Sequence, residues 1–331
     1  MLVTINGCSH PDSLSLLDPK LSATEKADST FKFICRKVKK YGSLDKNPRP
    51  VWIESDGTRI PAHTFSINGV TISVDVANGE SPLLSLRRIA WKYSIAELLW
   101  IYQAASNDLV IFDQLIGKDT WEEDQKINNW WEEWAIRDKN GNYVLNEQGH
   151  PIIGACYGET VRRHNLMRKL LNNMEKDPDS RRHIISLWQD SDFDDRHGLK
   201  PCVHKSQFVV RHEKDADYLD ASVDIRSWDY GTAGAINQNQ YLVFLCMVAR
   251  HLGYTPGVIT YNIANLQLYD RHIEIIEEML RRSSIPMSPK VTFNTTETNF
   301  FKIPFNAIKI EGYDGKKIDQ VNSPFKFPVA V

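Results

Sequence analysis

Apolar and polar residues alternate with the period of a β-strand between residues 219 and 227. One face of this segment is apolar and the other is polar, which is typical of a strand that buries one side. The apolar residues that follow Cys202 predict a neighbouring strand, which we expect to be antiparallel to the first. The apolar face consists of Leu219, Ala221, Val223 and Ile225.

Two further apolar segments, Ile184 to Trp188 and Val258 to Asn262, also predict strands. Residues 65 to 76 alternate on both sides of Asn68-Gly69, a dipeptide that favours two-residue hairpin turns. We therefore predict a β-hairpin centred on that dipeptide.

Apolar positions three and four residues apart predict several helices. One runs from Ser94 to Ala105, with Ser94 as N-cap and Glu97 as the second member of a capping box. A second helix contains Leu170, and a third carries the apolar run that begins at Tyr241. Strands and helices that mix without regular alternation indicate an α+β fold.

Length and charge narrow the class of protein. The chain has 331 residues and a net charge of -2, so we expect neither a broad nucleic-acid surface nor an obligate nucleic-acid partner. We divide it into an N-terminal extension of unknown role, residues 1–45, and a catalytic domain, residues 46–331. The apolar run from Tyr241 to Ala249 is too short to span a bilayer, so no membrane partner is expected.

Cysteine usage points to a reducing compartment. Five cysteines without regular spacing argue against a disulfide framework, and no cysteine or histidine cluster has zinc-like spacing, so we expect no metal. The first residues lack the pattern of a secretory signal. We expect a cytoplasmic protein.

The candidate nucleophile is Cys202, which follows Pro201 on a stiff approach to a strand. Nearby Lys200, His204 and Lys205 are expected to lower the pKa of its thiol and so raise the thiolate fraction. A small buried hydrophobic residue is the alternative interpretation of any single cysteine.

Other candidate groups each have two interpretations. Arg181 and Arg182, just before a strand, suit a phosphate clamp or an interface salt bridge. Glu97 caps a helix or is a partly buried carboxyl for acid–base work. Trp131 and Trp134 suit stacking on a planar ligand or core packing. Four consecutive amides from Asn237 need partners, which a ligand or neighbouring loops could supply.

Taken together, these motifs resemble the thymidylate synthase family over about residues 48 to 331. An Arg-Ser-x-Asp motif is followed by Asn eight residues later and by Tyr four residues further on. Pro-Cys is followed by Gln, and Glu-Leu-Leu-Trp, Asp-Pro-Asp-Ser-Arg-Arg and a terminal Pro-Val-Ala-Val are also present. The residues that carry these motifs are Arg226, Ser227, Asp229, Asn237, Tyr241, Pro201, Cys202, Gln207, Glu97 to Trp100, Asp177 to Arg182 and Pro328 to Val331.

The resemblance implies a thymidylate synthase-like α+β fold, in which a large mixed or antiparallel sheet packs with helices and two sheets pack back to back in a homodimer. It also implies a pyrimidine nucleotide such as dUMP as substrate and 5,10-methylenetetrahydrofolate as one-carbon donor. The implied catalytic residues are Cys202, Glu97, Asn237, Tyr157 and Asp229. The implied nucleotide-binding residues are Arg59, Arg226, Ser227, Gln207, Asn237, Gln267 and Tyr269, with Arg181 and Arg182 reaching from the partner subunit. The implied folate-binding residues are Trp131, Trp134, Asp229, Tyr241 and Val331.

In the resemblance, Cys202 adds to C6 of the base and makes C5 nucleophilic towards the methylene group of the folate. Glu97 then shuttles protons near O4 and C5, which favours its acid–base interpretation over the cap. An amide at Asn237 can donate to O4 and accept from N3–H, so the resemblance favours uracil over cytosine.

Three departures from the family pattern bear on the product. Val203 stands where the family has histidine, and residues 232–236 and 264–269 differ from the usual segments. We expect a more polar wall, formed by Gln238, Asn239 and Gln240, to admit water and yield a hydroxymethyl group. We therefore predict a bacteriophage-type dUMP hydroxymethylase, which lies in the host cytoplasm if a phage encodes it. The alternatives are thymidylate synthase, dCMP hydroxymethylase and a non-catalytic nucleotide- or RNA-binding relative.

Overall fold

The structure is a computed structural model that describes residues 1–5, 8–9, 18, 20–117, 127, 129–193 and 199–330. Its strands, in chain order, are β1 (Leu2–Ile5), β2 (Cys8–Ser9), β3 (Ser43–Leu44), β4 (Val51–Ile53), β5 (Arg59–Pro61), β6 (Thr64–Asp75), β7 (Ile184–Ser186), β8 (Val203–His212), β9 (Asp217–Ile225), β10 (Trp228–Asp229), β11 (Thr255–Tyr269), β12 (Lys290–Phe293) and β13 (Ile308–Glu311). The helices are α1 (Ala23–Tyr41), α2 (Trp91–Leu98), α3 (Leu109–Leu115), α4 (Gly158–His164), α5 (Leu166–Lys176), α6 (Gly234–Leu252), α7 (Ile273–Arg281) and α8 (Gly315–Val321).

A nine-stranded mixed sheet organises the molecule. Its main order is β2-β1-β6-β11-β9-β8-β7, with β10 beside β11 and β3 beside β6. The pairs of β11 with β9 and with β10 are parallel, whereas the others are antiparallel. Two short hairpins, β4 with β5 and β12 with β13, lie outside the sheet. The mixed sheet and its helices confirm the predicted α+β class.

The predicted pairing of β8 with β9 is confirmed. Val210 lies opposite Leu219 and Phe208 lies opposite Ala221, so the apolar positions of the two strands share one face. Leu219 and Ile225 are at most 1% exposed, as the period-two pattern predicts. This face packs into the core, and the loop that leads into β8 carries Cys202.

The predicted hairpin at Asn68-Gly69 is wrong. Residues 64–75 form one continuous strand, β6, which pairs with β11 from Thr64 opposite Tyr269 to Asp75 opposite Val258. Gly69 has φ +66° within this strand, a conformation that glycine adopts without steric strain. Pairing along the whole length of β11 therefore outweighs the local turn preference.

The predicted helix start at Ser94 is also wrong. The helix α2 begins at Trp91, and the hydroxyl of Ser94 donates to the Trp91 carbonyl at 2.8 Å instead of capping the helix. The chain then continues into a π-helical turn, Leu99–Gln103. Glu97 therefore lies near the end of the helix, where it is 4% exposed and faces the core.

The longest buried helix is α6, whose residues 238–249 are all buried. It packs against α2, β9 and β11 and so brings the amide-rich first turn close to Glu97. No helix in the described ranges is both long and apolar enough to cross a membrane.

The described part of residues 1–45 packs with the rest of the chain. Strand β1 pairs with β6 in the main sheet, and α1 buries Phe31, Ile34, Cys35 and Val38 in the common core. Ser22 starts α1 with a complete capping box. The boundary that we expected at residue 45 therefore does not coincide with any break in the packing.

Candidate active site

The loop before β8 is held by a single arginine. The Nε atom of Arg226 donates to the Pro201 carbonyl at 2.9 Å, and Nη2 donates to the Lys200 carbonyl at 2.7 Å. The same Nη2 atom lies 3.9 Å from the Sγ atom of Cys202. Because these contacts come from the end of β9, the sheet itself fixes the position of the thiol against the guanidinium group.

The expected activation of Cys202 by neighbouring basic residues is wrong. Burial raises the pKa of the Cys202 thiol, with further upward contributions from Asp229 and Glu97, while Arg226 acts in the opposite direction. Lys205 instead pairs with Asp224 at 2.5 Å, and Lys200 lies over the ring of Phe193. Arg226 is thus the cation that the fold directs at the sulfur.

Tyr157 lies on the other side of the cysteine. Its hydroxyl accepts a hydrogen bond from the backbone N–H of Cys202 at 3.2 Å, and burial raises the pKa of Tyr157 well above its usual value. Its backbone adopts φ 48° and ψ −109° just before α4, a conformation unusual for a residue with a side chain. Such an outlier is frequent at functional sites because the surrounding packing must hold it in place.

Glu97 is a buried carboxyl with two hydrogen-bond donors. The Nε1 atom of Trp131 donates to its Oε1 at 2.6 Å, and the Nε2 atom of Gln240 donates to its Oε2 at 3.2 Å. Burial raises the pKa of Glu97 to about 7, and these two hydrogen bonds oppose that rise. A carboxyl with this pKa can both give and accept a proton near neutral pH.

Asn237 lies in the first turn of α6 and is joined to the same network. The Nε1 atom of Trp228 donates to its Oδ1 at 3.1 Å, and its own Nδ2 donates to Oε1 of Gln240 at 3.1 Å. Asn237 is half-buried, whereas Gln240 is 2% exposed, so Asn237 is the member of the pair that a ligand could reach.

The other two amides are buried within the protein. Asn239 donates to Ser94 at 2.7 Å and accepts from Ser81 at 3.0 Å. Gln238 is 3% exposed, its backbone carbonyl accepts from the hydroxyl of Tyr261 at 2.7 Å, and its buried side-chain nitrogen has no hydrogen-bond partner among the described residues. Neighbouring segments thus partner Asn239 and Gln240, which was one of the two predicted outcomes for the amide run.

Asp229 lies on β10, beside a buried histidine. The backbone N–H of Thr232 donates to its Oδ1 at 3.4 Å, the Thr232 hydroxyl donates to Oδ2, and Nδ1 of His272 lies 3.9 Å from Oδ1. Burial raises the pKa of Asp229, against the effects of His272, Thr232 and Arg87. The carboxyl is half-buried and can accept a hydrogen bond from a ligand.

The implied sugar- and phosphate-binding residues are spread around this centre. Tyr269, at the end of β11, packs edge-on against Trp52 with the ring centroids 5.4 Å apart. Gln267 is paired with Asp229 between β11 and β10, and Ser227 lies between the end of β9 and the start of β10. Arg59 is exposed on the β4–β5 hairpin opposite Ile53.

Arg181 and Arg182 do not join the site within one chain. Both are exposed in the turn before β7, at the edge of the sheet. Gln207 donates to the Arg181 carbonyl at 3.3 Å, so its amide is directed at that turn and away from Cys202. The nucleotide-binding role implied for Gln207 stays a prediction.

The implied folate-binding residues fall into three groups. Trp134 is half-buried and packs edge-on against Trp131, which is 1% exposed and bonded to Glu97. Tyr241 lies in the core behind the site, 3% exposed, with its hydroxyl 3.0 Å from that of Tyr102. Val331 lies outside the described residues.

Two residues of this region, Trp228 and Arg87, were not assigned a role from the sequence. Trp228 donates to Asn237, which Gln240 in turn connects to Glu97, and Arg87 is a buried guanidinium that donates to the Thr232 carbonyl at 2.6 Å. A large aromatic residue between Ser227 and Asp229 was a visible signal, because the neighbouring positions are polar. No cluster of metal-binding side chains occurs among the residues described.

Comparisons with known proteins agree with this geometry. A family model described as thymidylate synthase matches residues 29–327. Thymidylate synthases of Streptococcus gordonii and Streptococcus suis are each 34% identical over 307 residues, which cover 92% of this chain and 99% of the relative. A solved structure titled thermostable thymidylate synthase A from Bacillus subtilis has 28% identity and a TM-score of 0.73, covering 92% of this chain and 99% of that chain.

These likenesses and the arrangement of the site define an enzyme that transfers one-carbon groups. The chain belongs to the thymidylate synthase family, and its fold is the thymidylate synthase fold. Members of this family use dUMP as substrate and methylenetetrahydrofolate as one-carbon donor.

Proposed function

We propose that this enzyme is a thymidylate synthase, which converts dUMP to dTMP with methylenetetrahydrofolate as one-carbon donor. This is the function that the sequence analysis placed second, behind the hydroxymethylase. Support comes from relatives of that name that match almost the entire chain. The observation that carries the proposal is the burial of the amides at residues 238 to 240, which were expected to admit water and are at most 3% exposed.

Cys202 is the proposed nucleophile, since its thiolate can add to C6 of the pyrimidine ring. Burial disfavours the thiolate, and the guanidinium of Arg226, with Nη2 at 3.9 Å from the sulfur, favours it. Addition transfers electron density into the ring and makes C5 and O4 basic. Glu97, with a pKa of about 7, is the proposed group that exchanges protons near those atoms.

Arg226, Ser227 and Arg59 are the proposed contacts for the 5′-phosphate, and Tyr269 and Gln267 the contacts for the sugar. Asn237 is the proposed reader of the base. Its half-buried amide can donate from Nδ2 to O4 and accept at Oδ1 from N3–H of uracil.

Asp229, Trp134 and the C-terminal tail are the proposed border of the folate. The tail supports this role because Phe327 packs edge-on against His272 at 5.1 Å and the Pro328 carbonyl accepts from Nε2 of the same ring at 2.9 Å. When bound, methylenetetrahydrofolate supplies the one-carbon unit and, in the synthase reaction, the hydride that reduces it.

The choice between methyl and hydroxymethyl products depends on water. We had expected Gln238, Asn239 and Gln240 to form a polar wall that admits it. In the structure these amides are at most 3% exposed, and Asn239 and Gln240 bond to Ser81, Ser94 and Glu97. The remaining surroundings of Glu97 include the rings of Trp131 and Tyr157, 5.0 Å apart. A site that excludes water protects a reactive carbon from hydration, which supports the methyl product.

The hydroxymethylase stays the second candidate on one specific observation. Val203, the residue after the nucleophile, is 5% exposed and apolar, so no imidazole is available there to organise protons. Incubation with dUMP and methylenetetrahydrofolate, followed by mass analysis of the nucleotide, separates the two. The synthase gives dTMP and dihydrofolate. A product heavier by one oxygen atom, with tetrahydrofolate released, contradicts the proposal, as does turnover of dCMP in preference to dUMP.

We further propose that the enzyme is a homodimer in which Arg181 and Arg182 complete the phosphate site of the partner. Both arginines are exposed at the sheet edge and distant in sequence from their own Arg226. The sheet face next to them carries Ile184 and Val209, which are 44% and 45% exposed on adjoining strands. Sedimentation equilibrium is expected to give the mass of two chains, and a monomer at assay concentrations contradicts this arrangement.

A further inference from the structure

Four side chains form a single chain of hydrogen bonds that includes the proposed base-reading amide, Asn237, and the buried acid, Glu97. Trp228 donates to Asn237 at 3.1 Å, Asn237 donates to Gln240 at 3.1 Å, and Gln240 donates to Glu97 at 3.2 Å. We call this set the amide chain. The far end is closed by Trp131, which donates to the other oxygen of Glu97 at 2.6 Å.

The direction of the amide chain follows from its first member. An indole N–H can only donate, so the Asn237 atom that faces Trp228 must be the carbonyl oxygen. The amino group of Asn237 then faces Gln240 and requires the Gln240 oxygen as acceptor. The amino group of Gln240 is left to face the Glu97 carboxylate, which accepts it. A flip of any one amide places two donors or two acceptors against each other.

Trp228 cannot readily move to relieve such a conflict. It is 1% exposed, stacks on Tyr261 with the ring centroids 6.0 Å apart and packs edge-on against Tyr230 at 5.3 Å. Gln240 is equally confined at 2% exposure. Asn237 alone is half-buried, so it is the one member of the amide chain that also meets a ligand.

We propose that Trp228 is a specificity-determining residue that locks the Asn237 amide in the orientation for uracil. In the locked orientation, Oδ1 has a second lone pair for N3–H of uracil, and Nδ2 has a second hydrogen for O4. Cytosine presents an unprotonated N3 and an amino group at C4, so it requires the flipped amide. This inference rests on the proposed function, in which Asn237 reads the base, and extends it to a residue that need not touch the nucleotide.

The test is the variant Trp228→Phe, which keeps an aromatic ring between Tyr230 and Tyr261 but removes the N–H. Isothermal titration calorimetry with dUMP and with dCMP, without folate, measures binding separately from turnover. An unpaired buried polar group typically weakens an interaction by between about fivefold and a hundredfold. We therefore expect the ratio of the dCMP Kd to the dUMP Kd to fall by about tenfold, with dCMP bound more tightly than by the wild type.

A matched control is Trp100→Phe. The indole of Trp100 is fully buried and donates to the Asp108 carbonyl at 2.8 Å, outside the amide chain. Its loss is expected to lower stability and leave the ratio of the two Kd values unchanged. An equal change in this control overturns the inference, since general loosening would then explain both variants.

Each remaining outcome is also decisive. If Trp228→Phe folds and keeps the wild-type ratio, Trp228 only packs and the inference fails, while the proposed function stands. If the wild type binds dCMP as tightly as dUMP, both fail. If Trp228→Phe does not fold, Trp228→Met also removes the N–H that fills the Asn237 oxygen and must narrow the ratio, and an unchanged ratio there overturns the inference.

Discussion

Replacing Cys202 by alanine is expected to lower kcat by at least about a thousandfold, because removal of a covalent nucleophile leaves only binding and electrostatic contributions. Cys202 is half-buried, so the loss of one sulfur atom leaves the Arg226 contacts to the Lys200 and Pro201 carbonyls intact. Nucleotide binding should therefore persist. Steady-state kinetics of dTMP formation and calorimetric titration with dUMP measure the two quantities separately.

The matched control is Cys246→Ala, in the middle of α6. Cys246 is 5% exposed among core residues, and burial raises the pKa of its thiol to about 12, so it is a structural residue. We expect this variant to lose some stability and to retain its kcat. Full activity in Cys202→Ala would remove the proposed nucleophile, and loss of dUMP binding would show that the substitution had disturbed the arginine-held loop.

Glu97→Gln is expected to lower kcat by about a hundredfold to ten-thousandfold, the range associated with a positioned general acid or base. The glutamine matches the carboxyl in size but cannot exchange a proton. The change should therefore remove the ionisation near pH 7 from the pH dependence of kcat, which follows from the raised pKa of Glu97. A Glu97→Gln enzyme with the wild-type pH profile would exclude this role.

The same carboxyl makes stability depend on pH. Its pKa is raised from the usual 4.5 to about 7 in the folded protein, so the folded state holds this proton more tightly than the unfolded chain. The resulting stabilisation is fully present below pH 4.5 and is lost as the pH rises through about 7. It amounts to about 3 kcal/mol, so urea unfolding should show wild-type stability falling more between pH 5 and pH 8 than that of Glu97→Gln.

Glu25→Gln is a control for the pH dependence of kcat and for the urea unfolding measurements. Glu25 caps α1, and its hydrogen bonds to Ser22 lower its pKa. The pH profile of kcat in this variant should keep its ionisation near pH 7, because Glu25 belongs to the cap of a helix far along the chain from the nucleophile. A missing ionisation in Glu25→Gln would mean that the profile reports a general change in stability.

The hydrophobic pattern predicted the strands around the nucleophile well, because β8 and β9 each bury one face and their alternation is visible in the residues themselves. The same approach failed at Asn68-Gly69. An Asn-Gly pair favours a hairpin locally, but β6 gains a long series of backbone hydrogen bonds by running straight beside β11. Such pairing involves residues almost 200 positions apart and leaves no local signal.

In the site, too, some features were visible in the local sequence and others depended on long-range packing. The spacing of Arg226, Ser227, Asp229, Asn237 and Tyr241 identified the family, and the structure brings Arg226 to the cysteine loop and Asn237 into the amide chain. Tyr241 instead packs behind the site, since its hydroxyl lies 3.0 Å from that of Tyr102. Position along a helix decides which way a side chain points, and the packing of α6 against α2 decides what it meets.

The residues alone thus identified the family, the candidate nucleophile and the candidate base reader, since these depend on side-chain type and on short spacings along one chain. Only the folded arrangement decided how those groups are tuned. The pKa values of Cys202 and Glu97 depend on burial and on charges brought together from separate elements, and the orientation of Asn237 depends on an indole and an amide beyond its own binding motif. Distances and desolvation arise from packing, so they follow from the folded arrangement and not from the order of residues along the chain.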